Sequence, residues 1–406
     1  MFSSIGSHNA ADTRRISLIE HSGLWAMAHK TVLVAVHLVC FSRGIKERRP
    51  LSSDLKDSPS YSFFIISYRP HSIDISFAMF PRSISLWLTT FLLAIANTLR
   101  VEKSRDFPEG LEIENMALRP SGSILAITYA SAPHLYEVPP IANSEPKLIY
   151  TFQNATGISS IAESSTPDEY FLITGNFSFK TWSPAPASYA IHRLSFDKYT
   201  DEPTVEELTS LSAISQPNGM IHVPNTPYVL IADCRGGFVF RFNTETLELT
   251  NYFDDPLLKP VGSPVEFGVN GIKLYRGYLY FSNTNQEIVA RLPASGEEAI
   301  LVGKPEIIVT QTATDDFIIN NFNGDLYLAE NGFNALGFFS KRINGTLPET
   351  LLGGPNCTAL LSPSAVIWAK GAEGRTLIIS NSGNPSQFET GNFTGGGRIN
   401  FVYLDC

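Results

Sequence analysis

A run of bulky residues that ends in a small residue recurs six times along the chain. The copy from Tyr278 to Thr284 reads YLYFSNT: bulky residues that favour β-strands come first, then a small residue and a polar one. Successive copies are 46, 58, 50, 47 and 51 residues apart, and their small residues are Thr128, Thr174, Ala232, Ser282, Ala329 and Ser380. Strand chemistry repeated at about 40–50 residues is typical of a β-propeller, in which each blade is a four-stranded sheet. The pattern therefore predicts an all-β fold, a six-bladed β-propeller.

Clusters of Pro, Gly, Asn and Ser between the copies indicate the turns that separate the blades. From them we place the blades at about 107–145, 146–200, 201–258, 259–302, 303–348 and 349–406. A strand over Val101 to Asp106 is expected to complete the sixth blade, because an open sheet edge would otherwise be exposed.

The chain before the repeats has a different character. Residues 1–78 show no strand rhythm, and Met79 then begins MFPRSISLWLTTFLLAIANT. This stretch has the basic residue, the short apolar run and the Ala-Ile-Ala site of a secretory signal, and the run is too short to span a bilayer. A signal inside a chain would not work, so we interpret 1–78 as a disordered gene-model extension, 79–96 as a signal peptide and 97–406 as the propeller. A genuine cytosolic extension is the alternative.

Secretion agrees with the sequons and cysteines. Five Asn-x-Ser/Thr sequons follow Met79 and predict glycosylation at Asn154, Asn176, Asn344, Asn356 and Asn392. Of the cysteines after the signal, a Cys357–Cys406 disulfide would hold the ring closed and leave Cys234 free, although sequence alone does not determine the pairing. We expect a secreted or lumenal glycoprotein.

The charge balance narrows the class of partner. The chain has 30 Lys and Arg against 39 Asp and Glu, a net charge of −9, and a nucleic-acid-binding protein would normally present a basic face. We therefore expect no nucleic acid and no membrane span, and a monomer or weak dimer that binds a small molecule.

A second set of polar residues lies 12–18 residues before the small residue of each copy. The innermost strands of all blades begin at the same mouth of the channel, so these residues are expected to form one ring. The ring consists of Glu114, Thr156, Asn218, Asn270, Asp315 and Ser364. Its oxygens suit a hard divalent cation or a polar pocket. The alternative is that each residue only caps its own strand, since Asx side chains often bond their own backbone.

A second polar layer follows the small residue of each copy: Tyr129, Gly175, Asp233, Asn283, Glu330 and Asn381. These positions are expected near the same mouth. If Asp233, Glu330 and Asp316 are crowded together, their pKa values would be raised, as acid–base chemistry needs; solvated surface positions are the alternative. His222 is expected to be a hydrogen-bonded core residue.

With these residues in view, the chain resembles the six-bladed propellers of the SMP-30/gluconolactonase-like superfamily over about 107–404. The resemblance implies a divalent metal, used for lactone hydrolysis and held by a Glu of blade one, an Asn before Gly and an Asp before Gly. Glu114, Asn218 and Asp315 match those positions. Asp316 stands where the family usually has Gly, which weakens the match of the third ligand.

A closer resemblance is to fungal secreted propellers of secondary-metabolite biosynthesis, in stretches such as QPNGM, VLIADC and GPNCTALLSP. Some of these resemble hetero-Diels–Alderases of tropolone-sesquiterpenoid pathways. That resemblance implies an enzyme that binds an o-quinone methide and a terpene alkene and closes a dihydropyran ring without a cofactor.

The resemblance to the hetero-Diels–Alderases also implies roles for named residues. Catalytic groups, as acids or as hydrogen-bond donors to the developing oxyanion, would be Glu114, Asp315, Asp316, Asn218, Asn270 and Asn283. Substrate would be held by Thr156, Met220, Phe317, Ser364, Trp182, Asp233 and Glu330.

Two alternatives remain open from sequence. In a metal-dependent lactonase or ester hydrolase, Glu114, Asn218 and Asp315 would bind Ca²⁺, Zn²⁺ or Mn²⁺, which would activate a water. In a non-catalytic secreted propeller, the same face would bind a ligand or partner.

Overall fold

The computed structural model describes the strands of an N-terminal segment and most of the repeat region. The described residues are 32–34, 66–69, 72–75, 100–140, 144–178, 180–181, 183–262, 266–342, 345–383 and 396–404. The chain divides into two compact units, 1–94 and 95–406. In the first unit, β1 (Val32–Val34), β2 (Ile66–Arg69) and β3 (Ser72–Ile75) form an antiparallel sheet. The predicted signal peptide, 79–96, lies outside the described residues, so it stays a prediction.

The second unit is a six-bladed β-propeller, as the repeat predicts. Its first described strand is β4 (Arg100–Asp106). Blade 1 contains β5 (Asn115–Leu118), β6 (Ile124–Ile127), β7 (His134–Val138) and β8 (Lys147–Thr151). Blade 2 contains β9 (Gly157–Glu163), β10 (Glu169–Gly175), β13 (Ala190–Phe196) and β14 (Pro203–Ser210), with a small hairpin of β11 (Phe177–Ser178) and β12 (Ser183–Pro184). Blade 3 contains β15 (Pro217–His222), β16 (Tyr228–Asp233), β17 (Phe238–Asn243) and β18 (Leu249–Phe253).

The remaining three blades follow the same antiparallel order. Blade 4 contains β19 (Val269–Tyr275), β20 (Tyr278–Asn283), β21 (Ile288–Ser295), the short β22 (Ile300–Leu301) and β23 (Glu306–Thr310). Blade 5 contains β24 (Phe317–Ile319), β25 (Leu326–Glu330), β26 (Ala335–Phe339) and β27 (Glu349–Gly353). Blade 6 contains β28 (Pro363–Trp368), β29 (Thr376–Asn381) and β30 (Arg398–Tyr403). Among the described residues, the helical elements are two 3₁₀ turns, Pro256–Leu258 and Asn331–Phe333. No helix in this part of the chain is long and apolar enough to cross a membrane.

The sixth blade is closed by the strand that comes before the first repeat. β4 pairs antiparallel with β30 and supplies the fourth strand of blade 6. Asp106 lies opposite Arg398 in this register, and the Arg398 Nε atom is 3.0 Å from the Asp106 Oδ1 atom. The predicted closure is therefore confirmed.

Four of the predicted blade boundaries are wrong. The sequence-based boundaries fall at the turn before the fourth strand, which puts β8, β14, β23 and β27 in the following blade. In the structure each of these strands pairs with the third strand of its own blade, as Glu137 does with Lys147. The reason is physical. Outer strands are more exposed, as in β8, where two residues are exposed and three are half-buried, and they therefore lack the bulky pattern that marks inner strands.

Six hydrophobic clusters form the core, one at each interface between neighbouring blades. The repeated strand contributes to two of them, because its side chains alternate between its two faces. Leu279 and Phe281 pack toward blade 3, while Tyr280 packs toward blade 5. Both faces of the strand are thus buried, which explains why the repeat is bulky at successive positions.

Candidate functional site

Four of the six predicted ring residues come together on the channel. Asn218 Nδ2 donates a hydrogen bond of 3.2 Å to Glu114 Oε1, although these residues belong to blades 3 and 1. Asn270 Nδ2 donates to Asp315 Oδ1 at 2.7 Å, and Asn331 Nδ2 donates to Asp315 Oδ2 at 3.1 Å. A contact that skips blade 2 places Glu114 and Asn218 near the channel axis. We call Glu114, Asn218, Asn270 and Asp315 the channel-mouth site.

Glycines beside the ring residues allow the inner strands to come this close. A Cβ atom on Gly219 would lie 2.1 Å from the carbonyl oxygen of Asn270, and one on Gly271 would lie 2.4 Å from Asp316 Oδ1. Neither distance could be accommodated without movement of the next blade. These two Asn-Gly pairs therefore serve close packing around the channel, within strands rather than at turns.

Two small residues of the repeat contact the backbone of the channel-mouth site through their hydroxyl groups. Ser282 Oγ donates to the carbonyl oxygen of Asp315 at 2.9 Å, which belongs to the next blade. Ser380 Oγ lies 3.4 Å from the carbonyl oxygen of Glu114, also in a neighbouring blade. Hydroxyls of the repeat thus fix the backbone of both carboxyl residues.

The two carboxyl groups of the site have raised pKa values. Burial raises the pKa of Glu114 to about 7, against the lowering effect of the Asn218 hydrogen bond, and the negative charge of Asp316 raises it further. Burial also raises the pKa of Asp315 well above its usual range, and the charges of Glu114 and Asp316 add to this. Both carboxyl groups therefore keep their protons to higher pH than ordinary carboxyls do, which favours donation of a hydrogen bond or a proton.

Glu112 is a third carboxyl near the site, and the sequence reasoning missed it. It is 1% exposed; its Oε1 atom accepts a 2.9 Å hydrogen bond from Ser131 N, and its Oε2 atom has no hydrogen-bond partner. Burial raises its pKa to about 8, with a smaller contribution from Glu114. Its position two residues before Glu114 on an extended segment was the available signal, since such residues share a face.

An aromatic wall adjoins the carboxyl groups. The rings of Tyr129 and Phe177 lie 5.0 Å apart, and Gln216 Nε2 donates to the Tyr129 hydroxyl at 3.3 Å. Burial raises the pKa of Tyr129 well above its usual range, with contributions from nearby Tyr189 and Glu114 among others. The neutral phenol gives the site an apolar side next to its acids.

Asp316 differs from its neighbour Asp315. Its Oδ1 atom lies 2.5 Å from Lys273 Nζ, and its side chain is 6% exposed. The ammonium group therefore compensates the carboxylate of Asp316, whereas the hydrogen-bond partners of Asp315 are amides. Asp315 is the better candidate for an acid, and the catalytic role predicted for Asp316 stays a prediction.

The other two ring residues bond to backbone groups distant in sequence, and not to their own strands as the capping alternative predicts. Thr156 Oγ1 accepts a hydrogen bond of 2.9 Å from Phe177 N. Ser364 Oγ donates to the carbonyl oxygen of Ile113 at 2.7 Å and joins blade 6 to blade 1. These contacts orient the loops and strands that frame the site.

Most of the second polar layer closes loops within single blades. Asp233 accepts three backbone hydrogen bonds, from residues 215, 216 and 236. Asn283 Nδ2 donates to the carbonyl oxygens of Leu257 and Lys259, and Asn381 Nδ2 donates to that of Arg398. The predicted crowding of Asp233, Glu330 and Asp316 finds no support at Glu330, whose pKa is raised by burial, against the lowering effect of the Thr312 hydrogen bond. The roles predicted for Asp233 and Asn283 in catalysis or binding stay predictions.

The apolar residues predicted to contact substrate do not belong to the channel-mouth site. Met220 belongs to the core between blades 2 and 3, and Phe317 to the core between blades 4 and 5. Trp182 lies outside the described residues. His222 is hydrogen-bonded, with Nε2 2.7 Å from the Thr226 carbonyl oxygen, as expected.

Some of the residues predicted to be glycosylated or to form a disulfide lie outside the described residues. Asn154 and Asn356 are exposed and Asn176 is half-buried, while Asn344 and Asn392 lie outside the described residues. Cys234 is buried and free, and Cys357 is free. Cys406 also lies outside the described residues, so the predicted Cys357–Cys406 bond is not shown.

The sequence resemblance implies a divalent metal ion at the channel-mouth site. Among the described residues, no group of three or more His, Cys, Asp or Glu side chains is placed to hold a metal ion. However, Asn270 Oδ1 is buried without a hydrogen-bond partner, beside the carboxyl of Asp315. Two carboxylates with Asn218 and Asn270 amide oxygens would suit a hard divalent cation. The site therefore fits such an ion if the Asn218 amide turns its oxygen inward.

The sequence is similar to a curated protein whose name refers to hetero-Diels–Alder chemistry. It is 27% identical over 247 residues to a protein of Sarocladium schorii named "Putative hetero-Diels-Alderase asR5". The match covers 53% of this chain and 60% of that protein. No protein-family model matches the chain.

Solved structures show the same fold at low identity. A luciferin-regenerating enzyme matches with a TM-score of 0.52 and 10% identity, over 74% of this chain and 95% of that one. Regucalcin of Agrobacterium tumefaciens, a calcium-binding protein, matches with a TM-score of 0.51 and 14% identity, over 75% of this chain and 96% of that one. The neighbours are SMP-30/regucalcin-like and related propellers, as the sequence resemblance implied.

Proposed function

We propose that the protein is an enzyme of fungal secondary-metabolite biosynthesis that closes a dihydropyran ring by a hetero-Diels–Alder reaction. The observation that carries this proposal is the pair of raised-pKa carboxyls, Glu114 and Asp315, next to the phenol of Tyr129. The similarity to the named Sarocladium schorii protein supports the reaction class. The substrates would be a polyketide-derived o-hydroxybenzyl alcohol and a cyclic terpene alkene, and no cofactor is required.

The first step is the loss of water. Protonated Glu114 donates a proton to the leaving hydroxyl group, the benzylic C–O bond breaks, and the phenol loses its proton to give a neutral o-quinone methide. The Glu114 carboxylate can take up that phenolic proton, so the acid is restored at the end of the step. A pKa of about 7 suits both transfers near neutral pH.

The second step is the cycloaddition. The alkene forms a C–C bond to the methide carbon and a C–O bond to the carbonyl oxygen, and the ring becomes aromatic again. Protonated Asp315, or the Asn218 amide, donates a hydrogen bond to that oxygen and draws electron density from the heterodiene. Held in a near-attack arrangement, the two reactants also lose less entropy at the transition state.

The test is turnover of a probe pair, an o-hydroxybenzyl alcohol and an electron-rich cyclic alkene, with the product stereoisomers separated by chiral chromatography. The wild-type protein should give one stereoisomer in excess and a rate above background. Glu114→Gln and Asp315→Asn should each lower that rate about 10–100-fold. Glu298→Gln, at an exposed position, is the matched control and should be unchanged. A racemic product at the background rate would refute the proposal.

A metal-dependent lactonase or ester hydrolase is the second candidate. It is favoured by the unpartnered Asn270 Oδ1 atom beside the Asp315 carboxyl. Glu114, Asn218, Asn270 and Asp315 would hold Ca²⁺, Zn²⁺ or Mn²⁺, which would polarise a lactone carbonyl or a water. Lactone hydrolysis that is lost with EDTA and restored by one of these ions would establish this function. Stereoselective cycloaddition that is unchanged by EDTA would exclude a need for the metal.

We further propose that the protein acts in the secretory pathway, which agrees with the exposure of Asn154 and Asn356. A shift in mass on treatment with an N-glycosidase, for protein secreted by a fungal host, tests this. A protein whose mass does not change on this treatment would contradict it. A folded, secreted protein without either activity would leave ligand binding as its function.

A further inference from the structure

A cavity lies alongside blade 5, and no channel-mouth residue lines it. It has a volume of about 340 Å³ and is bounded by the end of β25, the following 3₁₀ turn and β27, with Gln311 from the connection out of blade 4. This size lies in the range of small-molecule sites. Glu330 lines this cavity, although the sequence placed it with the channel-mouth layer.

Glu330 is the buried polar anchor of this cavity. Its side chain is 4% exposed, and its Oε1 atom accepts a 2.8 Å hydrogen bond from the hydroxyl of Thr312. The part of the chain that the structure describes gives this carboxyl no cationic partner. Burial raises its pKa, which reflects a carboxylate without a compensating charge.

The rim of the cavity is apolar and exposed. Phe333 is 39% exposed and Leu347 is 58% exposed, and Pro348 and Pro355 lie beside them. Large apolar side chains that line a concave site with one polar anchor are typical of ligand pockets. The cavity thus combines an uncompensated carboxyl at its base with an apolar entrance.

We propose that this cavity binds a hydrophobic primary amine. The ammonium group would pair with the Glu330 carboxylate, and the apolar body would lie against Phe333 and Leu347. A cation is favoured over a neutral group because it removes the cost of leaving the carboxylate buried and uncompensated. A carboxylate ligand is disfavoured for the same reason. The inference does not depend on the reaction proposed for the channel mouth.

The cavity and the channel-mouth site are connected through one short segment. Asn331 follows Glu330 directly and its side chain bonds to Asp315 Oδ2, while Glu330 lines the cavity. A ligand of the channel mouth would be bound by other residues, which makes the two sites separable by mutation.

The experiment is isothermal titration of the full chain with 2-phenylethylamine and, in parallel, with its neutral analogue 2-phenylethanol. We expect the amine to bind with one site per chain and at least about tenfold more tightly than the alcohol. Glu330→Gln should weaken amine binding at least about tenfold, and Glu114→Gln should leave it unchanged. Thermal unfolding of each variant checks that it is folded.

A second variant keeps the proposal testable if Glu330→Gln does not fold. Leu347→Ser removes an exposed apolar contact without disturbing the core, and it should weaken amine binding several-fold. Equal binding of amine and alcohol, unchanged amine binding in folded Glu330→Gln, or no amine binding at millimolar concentration would each overturn the proposal. Loss of binding in Glu114→Gln would place the amine in the channel mouth instead.

Discussion

At the scale of the residue, environment rather than residue type separates the acids of this protein. Asp315 and Asp316 are neighbours in sequence, yet Asp316 is paired with Lys273 and Asp315 is bonded to amides. Glu112 and Glu114 are both uncompensated, and burial raises both of their pKa values. Burial without a charged partner therefore makes Glu112, Glu114 and Asp315 hold their protons to higher pH than ordinary carboxyls do.

Glu112 gives a prediction about stability and pH. A carboxyl with a raised pKa in the folded state binds its proton more tightly there than in the unfolded state. The free energy of unfolding should therefore fall as pH rises from about 4.5 to about 8, the reverse of the usual trend for a salt-bridged carboxylate. In Glu112→Gln the fall should be smaller by a few kcal/mol, on the order expected for a shift of this size.

Urea denaturation of wild type and Glu112→Gln at several pH values measures this difference. Groups common to both proteins cancel when the two curves are subtracted. Parallel curves across this pH range would show that Glu112 is ionised in the folded protein.

Sequence reasoning placed Glu114, Asn218, Asn270 and Asp315 at one ring, because their spacing from the repeat is regular. It could not show which ring residues face one another. Thr156 and Ser364 share the spacing, yet both bond to backbone. The spacing of Glu112 from Glu114 could have suggested that it shares a face with Glu114, but not that it is buried, since burial depends on contacts between strands distant in sequence.

At the scale of the element, the inner strands carry most of the information in the sequence. Their side chains are buried on both faces, so they show the bulky pattern that revealed six blades. The outer strands have exposed faces, and for that reason β8, β14, β23 and β27 were assigned wholly or largely to the wrong blades. Only the hydrogen-bonded pairing with the third strand shows where each blade ends.

The inner strands also give a prediction about packing. Gly219→Ala would place a Cβ atom 2.1 Å from the Asn270 carbonyl oxygen, so the two strands must separate. We expect a loss of about 1–3 kcal/mol in unfolding free energy, as for other overpacked core positions. Gly332→Ala is the control, because a Cβ atom there meets nothing within 4 Å. Equal midpoints for both variants in thermal unfolding would argue against close strand contact at Gly219.

At the scale of the whole molecule, the ring is closed by chain segments from its two ends. β4 precedes blade 1 and completes blade 6 beside β30, a closure that could be predicted because an open edge strand is unfavourable. The cavity at Glu330 could not be predicted, since its lining comes from segments that only the folded chain brings together.

Closure gives a prediction about truncation. A chain that begins at residue 97 keeps β4 and should fold, whereas one that begins at residue 107 loses the fourth strand of blade 6 and exposes the edge of β30. The shorter chain should unfold at lower temperature and aggregate. Light scattering together with thermal unfolding compares the two, and identical behaviour would show that β4 is dispensable.

The central claim is that protonated carboxyls at the channel mouth drive the reaction. Its most direct test is the rate of cycloadduct formation from the probe pair, measured from about pH 5 to about pH 9 in wild type and Glu114→Gln. We expect the wild-type rate to fall as pH rises through about 7, the pKa of Glu114, and we expect no such fall in the slower Glu114→Gln variant. A wild-type rate that is independent of pH, or a Glu114→Gln variant as fast as wild type with the same profile, would contradict it.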